Sequence, residues 1–386
     1  MDLHKGVCDA LKSTYGACLM RNTAVFMDGM CRILYFQEDI VMKKRIAMAL
    51  SAIMAAGMIM AGCGSTSSAP AAGGNTTADS TATSDTVGGM EGGTNLNFTT
   101  GGDQGTYYGF GGVLASKISE TTSTNVTAIA SGGSQANIEF IDAGDAQLGF
   151  VQSDVMAYAY DGTRLFEETG KVESFSTVAA LYMEQVQVVS VDPSITSVAD
   201  LKGKNVSIGA AGSGTYFNAL DVLAAYGMTE DDINPTYQSF GDSAEALQDG
   251  KIDAAFIVAG APTTAVTSLA TSKAVNVISI DDEHIKILLE QSPYYSEATI
   301  PADAYETESD IKTVAVDAVV VAGNDVSEAD VYNFLYGVFE NVDSITAAHA
   351  KGAELDLDFA ASVGSVPYHP GAAKYFSEKG IEVPTK

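Results

Sequence analysis

Ser213, Gly214 and Thr215 set two hydroxyls about a glycine inside Ala210-Ala211-Gly212-Ser213-Gly214-Thr215-Tyr216-Phe217. Gly105-Thr106-Tyr107-Tyr108, within Thr99–Gly112, has the same form as Gly214-Thr215-Tyr216-Phe217. Glycines let a backbone approach a ligand closely, and the first turn of a helix offers unpaired N–H groups with partial positive charge. Residues of these types bind anions and have little acid–base power. Gly101 and Gly102 belong to the first loop, and the spacing predicts that both loops face one ligand.

The elements around each loop are also matched. Leu96, Phe98 and Thr99 read as a strand and Val113, Leu114 and Ile118 as one face of a helix, so the first loop joins a strand to a helix N-terminus. Asn205–Gly209 and Leu220, Val222, Leu223 do the same for the second. A helix-like Ser134–Ile141 and a buried strand Gly144–Val151 follow the first, and Ser243–Leu247 and Gly250–Val258 follow the second. Two copies of a strand-helix-helix-strand plan predict an α/β fold of two similar lobes around a shared cleft.

Gln152, Ser153 and Asp154 lie just past a buried strand, where open α/β sheets bind ligands, although turn formers have the same composition. Gly260, Ala261 and Pro262 mirror them in the second half. Val178–Val189 reads as two strands with a short polar break, a chain switching lobes, which puts a hinge near Met183 beside Glu184. Ser292–Tyr295 and Ile300-Pro301-Ala302 leave regular pattern. Thr313–Val321 reads as the return strand, and Val331, Phe334, Leu335 and Val338 as the face of a helix packed on the first lobe.

Other chemistries fail on their residues. Gly209 and Gly214 have P-loop spacing, but Thr215 stands where the lysine belongs. Gly132-Gly133-Ser134-Gln135-Ala136 approaches a nucleophile elbow, with His349 and His369 as bases, yet it ends in alanine. The four histidines show no metal-ligand spacing, so neither metal nor cofactor is expected. The tyrosines at 107, 108, 182 and 216 are also compatible with core or interface roles.

Met42-Lys43-Lys44-Arg45, apolar Ile46–Met60 and Met60-Ala61-Gly62-Cys63 form an export signal ending in a lipobox. Residues 1–41 are therefore read as a mis-called upstream segment, 42–62 as a lipoprotein signal peptide, and Cys63 as the lipidated N-terminus of the mature chain. Residues 64–94, rich in Ser, Thr, Gly and Ala, are expected to be a flexible tether. No cysteine follows Cys63, so the exported part must rely on its core. Residues 1–62 carry net +2, which leaves −31 on the remainder against −29 for the whole chain. That surface repels nucleic acid, excluded here as a partner, and any anion site must work through local dipoles.

Taken in order, Thr100-Gly101-Gly102 with Gly105–Tyr108, Gly133–Asn137, Val151–Asp154, Leu181–Glu184, Asp200–Lys204, Gly212–Thr215, Asp249–Ala254 and His369–Ala372 resemble the TAXI subclass of receptors for tripartite ATP-independent periplasmic (TRAP) transporters. The similarity runs from about residue 95 to the C-terminus; Met183, where proline is frequent, and Arg164, among usually small residues, depart from it. It implies a type II-like, two-lobed periplasmic-binding-protein fold, lobe 1 from 95–183 and 311–386 and lobe 2 from 184–310. The implied protein is no enzyme. It is an extracytoplasmic receptor, lipid-anchored to the outer face of the cytoplasmic membrane or in the periplasm, that passes a glutamate- or glutamine-like amino acid or a dicarboxylate to TRAP permease subunits. Together the two lines of reading assign Gly101, Gly102, Tyr107, Tyr108, Ser134, Asn137, Gln152 and Ser153 to the ligand from one lobe, and Ser213, Gly214, Thr215, Gly260 and Pro262 from the other. Glu184 at the hinge is either the partner of an amino group or a structural carboxylate. An alternative role is a surface lipoprotein that presents ligand to a sensor.

Overall fold

Along Asn95–Thr99, Leu96 and Phe98 turn inward while Asn95 and Asn97 face water, which is the period of a half-buried strand, β1. The computed structural model describes residues 88–386. The expected signal peptide, Cys63 and most of the expected tether lie outside the described residues. From β1 the chain runs through α1 (Thr106–Thr121), β2 (Asn125–Ile129), α2 (Ser134–Asp142), β3 (Leu148–Gln152) and α3 (Ser153–Asp161) into a long strand, β4 (Phe175–Ser190). A second series follows: β5 (Asn205–Ser207), α4 (Thr215–Ala225), β6 (Asn234–Thr236), α5 (Phe240–Gln248), β7 (Ala254–Ala259), α6 (Thr264–Ala270), β8 (Asn276–Ile278), α7 (Asp282–Gln291) and β9 (Ser296–Ile300). The return strand β10 (Ile311–Gly323) leads to α8 (Glu328–Phe339), α9 (Val342–Ala348), the single turn α10 (Leu357–Ala360) and α11 (Pro370–Glu378).

The strand order is β2-β1-β3-β10-β4-β7-β5-β6. In the first half β1 lies parallel to β2 and β3, and β10 runs antiparallel to β3. In the second half β5 lies parallel to β6 and β7, and β4 runs antiparallel to β7. This is an α/β fold of two lobes, as expected from the matched strand-and-helix runs. Each lobe repeats strand-helix-strand-helix-strand, one strand more than the pattern predicts. The added strands, β2 and β6, are edges that pair on one side only and are partly exposed, so neither carries an apolar run.

Two strands serve both lobes. β4 pairs with β10 from Phe175 to Gln185 and with β7 from Gln185 to Ser190, as one unbroken strand. The expected polar break within Val178–Val189 is therefore absent: Glu184 is buried and Gln185 half-buried within a continuous strand whose neighbours change. Met183 pairs with Asp317 at that change, and the β4–β10 ladder shifts register beside it.

Lobe 1 is centred on Phe98, whose ring meets Phe150 at 4.9 Å and Phe334 edge-on at 5.7 Å. The predicted face of α8, Val331, Phe334, Leu335 and Val338, is fully buried there. Residues 88–94, assigned to the tether by composition, are instead docked on this lobe. The Met90 N–H donates to Asn333 Oδ1 (2.6 Å), and Thr94 donates its N–H and hydroxyl to the Asp330 carboxylate, both at 2.8 Å. Composition misses such docking because the partners are supplied by α8, more than two hundred residues away.

Candidate functional site

Both glycine loops end at a helix N-terminus. Gly105 caps α1 and Gly214 caps α4, each without a side-chain cap; in α4 the Phe217 N–H turns back onto Gly214 O at 3.0 Å, which leaves the Thr215 and Tyr216 N–H groups at its tip. A cleft with about 540 Å³ of empty space, its open mouth included, lies between them. Nine of the sequence candidates line it: Gly101, Gly102, Tyr107, Ser134 and Gln152 from lobe 1, Glu184 from the shared strand, and Ser213, Gly214 and Thr215 from lobe 2.

In lobe 1, the ring of Tyr107 stacks on Phe150 at 4.6 Å, 5° from parallel, and its hydroxyl donates to Glu184 Oε2 at 2.8 Å. Tyr107 is thereby fixed from below by β3 and holds Glu184 on β4. Glu184 is 2% exposed, and burial together with the nearby Asp154 pushes its carboxyl up to about 8, against the opposing pull of the Tyr107 hydroxyl and Lys351. The Gln152 N–H donates to Ser134 Oγ at 3.1 Å, while Gln152 Oε1 is buried without a partner.

In lobe 2, the Ser213 N–H closes a turn onto Ala210 O at 3.0 Å, and Ser213 Oγ is buried without a partner. Two glycines make the loop possible. Gly209 has φ +95°, and a Cβ there would lie 2.6 Å from Ser213 Oγ; a Cβ on Gly214 would run into the Gln152 side-chain amide of the other lobe. Two residues with unpartnered buried oxygens, Gln152 and Ser213, thus line the cleft that both helix N-termini border. Such an arrangement can receive a carboxylate: N–H groups donate to it, and the Ser213 hydroxyl adds a further donor.

Five candidates sit elsewhere. Tyr108 follows Tyr107 on the helix and is 39% exposed, because successive helical residues point about 100° apart. Asn137 donates its amide to Thr100 O and Phe150 O, both at 2.7 Å, and so ties β1 to β3 beneath the site. Ser153 Oγ accepts the Asp317 N–H at 3.1 Å. Gly260 O accepts the Thr106 hydroxyl at 2.8 Å, a bond between lobes, and Pro262, after a cis peptide bond, is exposed.

Residues that the candidate list omits also line the cleft. Ser131, Gly132 and Gly133 precede α2, and Ala210 enters the lobe-2 loop. Ser239 and Phe240 start α5, where Ser239 Oγ accepts the Asp242 N–H as a cap. That cap is legible as serine followed three residues later by aspartate; its proximity to lobe 1 is not.

Hydrogen bonds join the lobes around the cleft: Ala136 N–H to Gly212 O (3.1 Å), Ala265 N–H to Gln104 O (3.2 Å) and Thr106 to Gly260. Behind it, Asn218 Nδ2 donates to buried Asp154 Oδ2 (2.9 Å), and Arg164 pairs with Asp221 at 2.7 Å. Burial pushes the Asp154 carboxyl up to about 7. Neither of the bases considered for Ser134 is bonded to it: Ser134 Oγ accepts the Gln152 N–H, His349 Nδ1 accepts the Lys351 N–H and His369 Nδ1 accepts the Gly371 N–H.

Among solved structures, the chain is similar to the periplasmic aliphatic sulphonate binding protein SsuA from Escherichia coli, at 16% identity over 75% of this chain and 91% of that one, with a TM-score of 0.40. It is also similar to the GluR0 ligand-binding core from Nostoc punctiforme in complex with L-glutamate, at 15% identity over 67% and 99% of the two chains and a TM-score of 0.39. A putative L-cystine ABC transporter from Listeria monocytogenes matches at 14% identity over 71% and 99%, with a TM-score of 0.41. The model of the NMT1-like family matches residues 98–380, and the chain belongs to that family.

Proposed function

We propose that this protein is an extracytoplasmic solute receptor, not an enzyme, which captures a small carboxylate between its lobes and delivers it to the membrane subunits of an ion-driven TRAP permease. The observation that carries the reading is the pair of glycine-capped helix N-termini, one per lobe, aimed into a cleft with two unpartnered buried oxygens. A ligand carboxylate lies on the N–H groups and hydroxyls of Ser213–Thr215, with the dipole of α4 in place of a basic side chain. Gly101, Gly102, Tyr107, Ser134 and Gln152 close over it. The ligand is a glutamate- or glutamine-like amino acid or a dicarboxylate.

Closure is the signal a permease reads, and the ligand drives it only by binding the closed form more tightly than the open one. Location outside the cytoplasm with a lipid anchor at Cys63 rests on the lipobox and the TAXI resemblance. Among the described residues no helix is long and apolar enough to cross a membrane.

The test is a thermal shift on the chain, unfolded and refolded to strip carried-over solute, against amino acids, dicarboxylates, sugars and nucleosides. Ligand at a hundred times its Kd adds about 2.7 kcal/mol, or roughly 5 °C or more at this size. A shift with amino acids or dicarboxylates supports the reading. A shift only with sugars or nucleosides overturns the carboxylate assignment, and no shift with any overturns the receptor role.

A further inference from the structure

The lobes also meet behind the cleft, in a polar layer none of whose residues lines it. Asp154 near the start of α3 faces Asn218 and Asp221, one turn apart on α4, across the lobe boundary. Asp154 is 0% exposed; its Oδ1 accepts the Val155 N–H at 2.8 Å and its Oδ2 the Asn218 amide at 2.9 Å. Among the described residues no cation pairs with it, since Arg164 is engaged by Asp221. The Asn218 nitrogen also donates to Tyr295 Oη (2.9 Å), whose hydroxyl donates to Asp221 Oδ2 (3.0 Å), while Asn218 Oδ1 is buried without a partner. A carboxylate sealed from water beside a second carboxylate is an expensive arrangement, and a proton is the smallest cation that relieves it. Thr215, in the first turn of α4, lines the cleft, so the helix that borders the cleft also carries the groups that cover Asp154.

We propose that this layer is a proton-sensitive clasp on closure: shutting the lobes seals Asp154 against Asn218 with a proton taken up from water, and opening returns it, so the closed form is held at low pH and let go as pH rises. This rests on the receptor reading above, because the clasp regulates the closure which that reading requires. With the proton on, the Asn218 amide turned over presents its spare oxygen to the new O–H.

The sign follows from what surrounds the group. Asp154 faces Asp221 on α4, Glu184 on β4, Tyr158 on α3, and Tyr294 and Tyr295 ahead of β9; Asp317 on β10 meets the same turn through its N–H on Ser153. Burial, with the Asp221 charge behind it, outweighs the Val155 and Asn218 bonds and pushes the carboxyl up to about 7. Opening takes Asn218, Asp221 and Tyr295 away with lobe 2 and lets water in, which returns the carboxyl toward its ordinary range. A group whose pKa is raised on closing favours the closed form below that pKa. Ligand affinity therefore falls by up to about tenfold per unit as pH rises from 5 to 7, and this contribution levels off above 7.

The experiment is titration calorimetry on the refolded full chain at pH 5, 6, 7 and 8, in two buffers of different ionisation heat, with L-glutamate, L-glutamine and succinate as probes. Asp154→Asn keeps the shape without the charge, and its amide can donate to Asn218 Oδ1. Comparing the two proteins at each pH cancels the ligand's own titration and that of Glu184. At pH 8 the variant should bind more tightly than the wild-type chain, an advantage that shrinks by about tenfold to hundredfold at pH 5. At pH 6 the wild-type chain should take up close to one proton more per ligand bound. A variant that binds no more tightly at pH 8, or that takes up as many protons, overturns the clasp and leaves the receptor reading standing. If Asp154→Asn does not refold, Asp221→Asn carries the test: it removes the nearest like charge, so the fall in affinity should end at a lower pH, and an unmoved profile overturns the clasp. Binding of none of the probes at any pH overturns both.

Discussion

The two glycine-capped helices start alike and diverge within one residue. In lobe 1, the residue after Thr106 is Tyr107, which turns inward, stacks on Phe150 and holds Glu184. In lobe 2, the residue after Thr215 is Tyr216, which stays at the rim with its hydroxyl on Glu230 (3.0 Å), and the inward positions belong to Ser213 and Thr215. One backbone device is thus furnished in two ways: lobe 1 positions a carboxyl group, and lobe 2 leaves hydrogen-bond donors open. The proposed ligand carboxylate therefore belongs on the α4 side, where hydrogen-bond donors are open, and away from the Glu184 carboxyl on the α1 side.

Substitutions in matched pairs can break that contrast, and the largest effect is expected where donors are removed. Ser213→Ala with Thr215→Ala deletes two hydroxyls proposed to bind the ligand carboxylate, each hydrogen bond to a charged group being worth about 1.5–3 kcal/mol. Affinity should fall roughly hundredfold or more with Tm of the unliganded protein little changed; unchanged affinity in calorimetry moves the anion site out of lobe 2. Gly214→Ala drives a methyl into the Gln152 amide and should cost about 1–3 kcal/mol of closure, read as weaker binding. Its counterpart Gly105→Ala meets Gly102 O at 3.3 Å and the Phe240 ring at 3.4 Å, so it should stay within about 0.5 kcal/mol. Equal effects at the two glycines would erase the asymmetry.

Smaller effects sharpen it. Tyr107→Phe takes a donor from a buried carboxyl, a cost of about 1–3 kcal/mol, and should lower Tm by roughly 2 °C or more. Tyr216→Phe should stay within about 0.5 kcal/mol; a larger loss there would show the rim tyrosine to be structural. Arg164→Ala removes the pair with Asp221 from a side chain 38% exposed, so water and salt already screen it. It should weaken binding by no more than about fivefold, and a larger loss measured in the same titration would make this pair a principal clasp of the closed form.

How far the sequence speaks depends on the range of the interactions. The loops were legible because glycine, hydroxyl and helix face lie within a dozen residues. β10 was legible because nine consecutive residues from Thr313 to Val321 are apolar apart from one threonine and one aspartate. β2 and β6 escaped because edge strands need no apolar run, and Pro235 in β6 argues against a strand except at an edge. β9 escaped behind Pro293 for the same lack of pattern. In the cleft, hydroxyls and glycines near the loops were legible, whereas Ser239 and Phe240 reach it only through contact between lobes. Asn137 looked like a ligand group because an amide beside a loop has the same letter whether it faces a solute or ties two strands together.

The docked segment 88–94 gives the molecule a fixed frame of reference. Its hydrogen bonds go to Ser123, Asp330 and Asn333, all in lobe 1, and Gly88 bridges to Thr122 just past the end of α1. The other end of that 16-residue helix meets the cleft, about 24 Å away at 1.5 Å per residue. The docked segment and the Gly105 end of the cleft are therefore carried by opposite ends of one helix, so any change in the fit between the lobes leaves the distance between them unaltered.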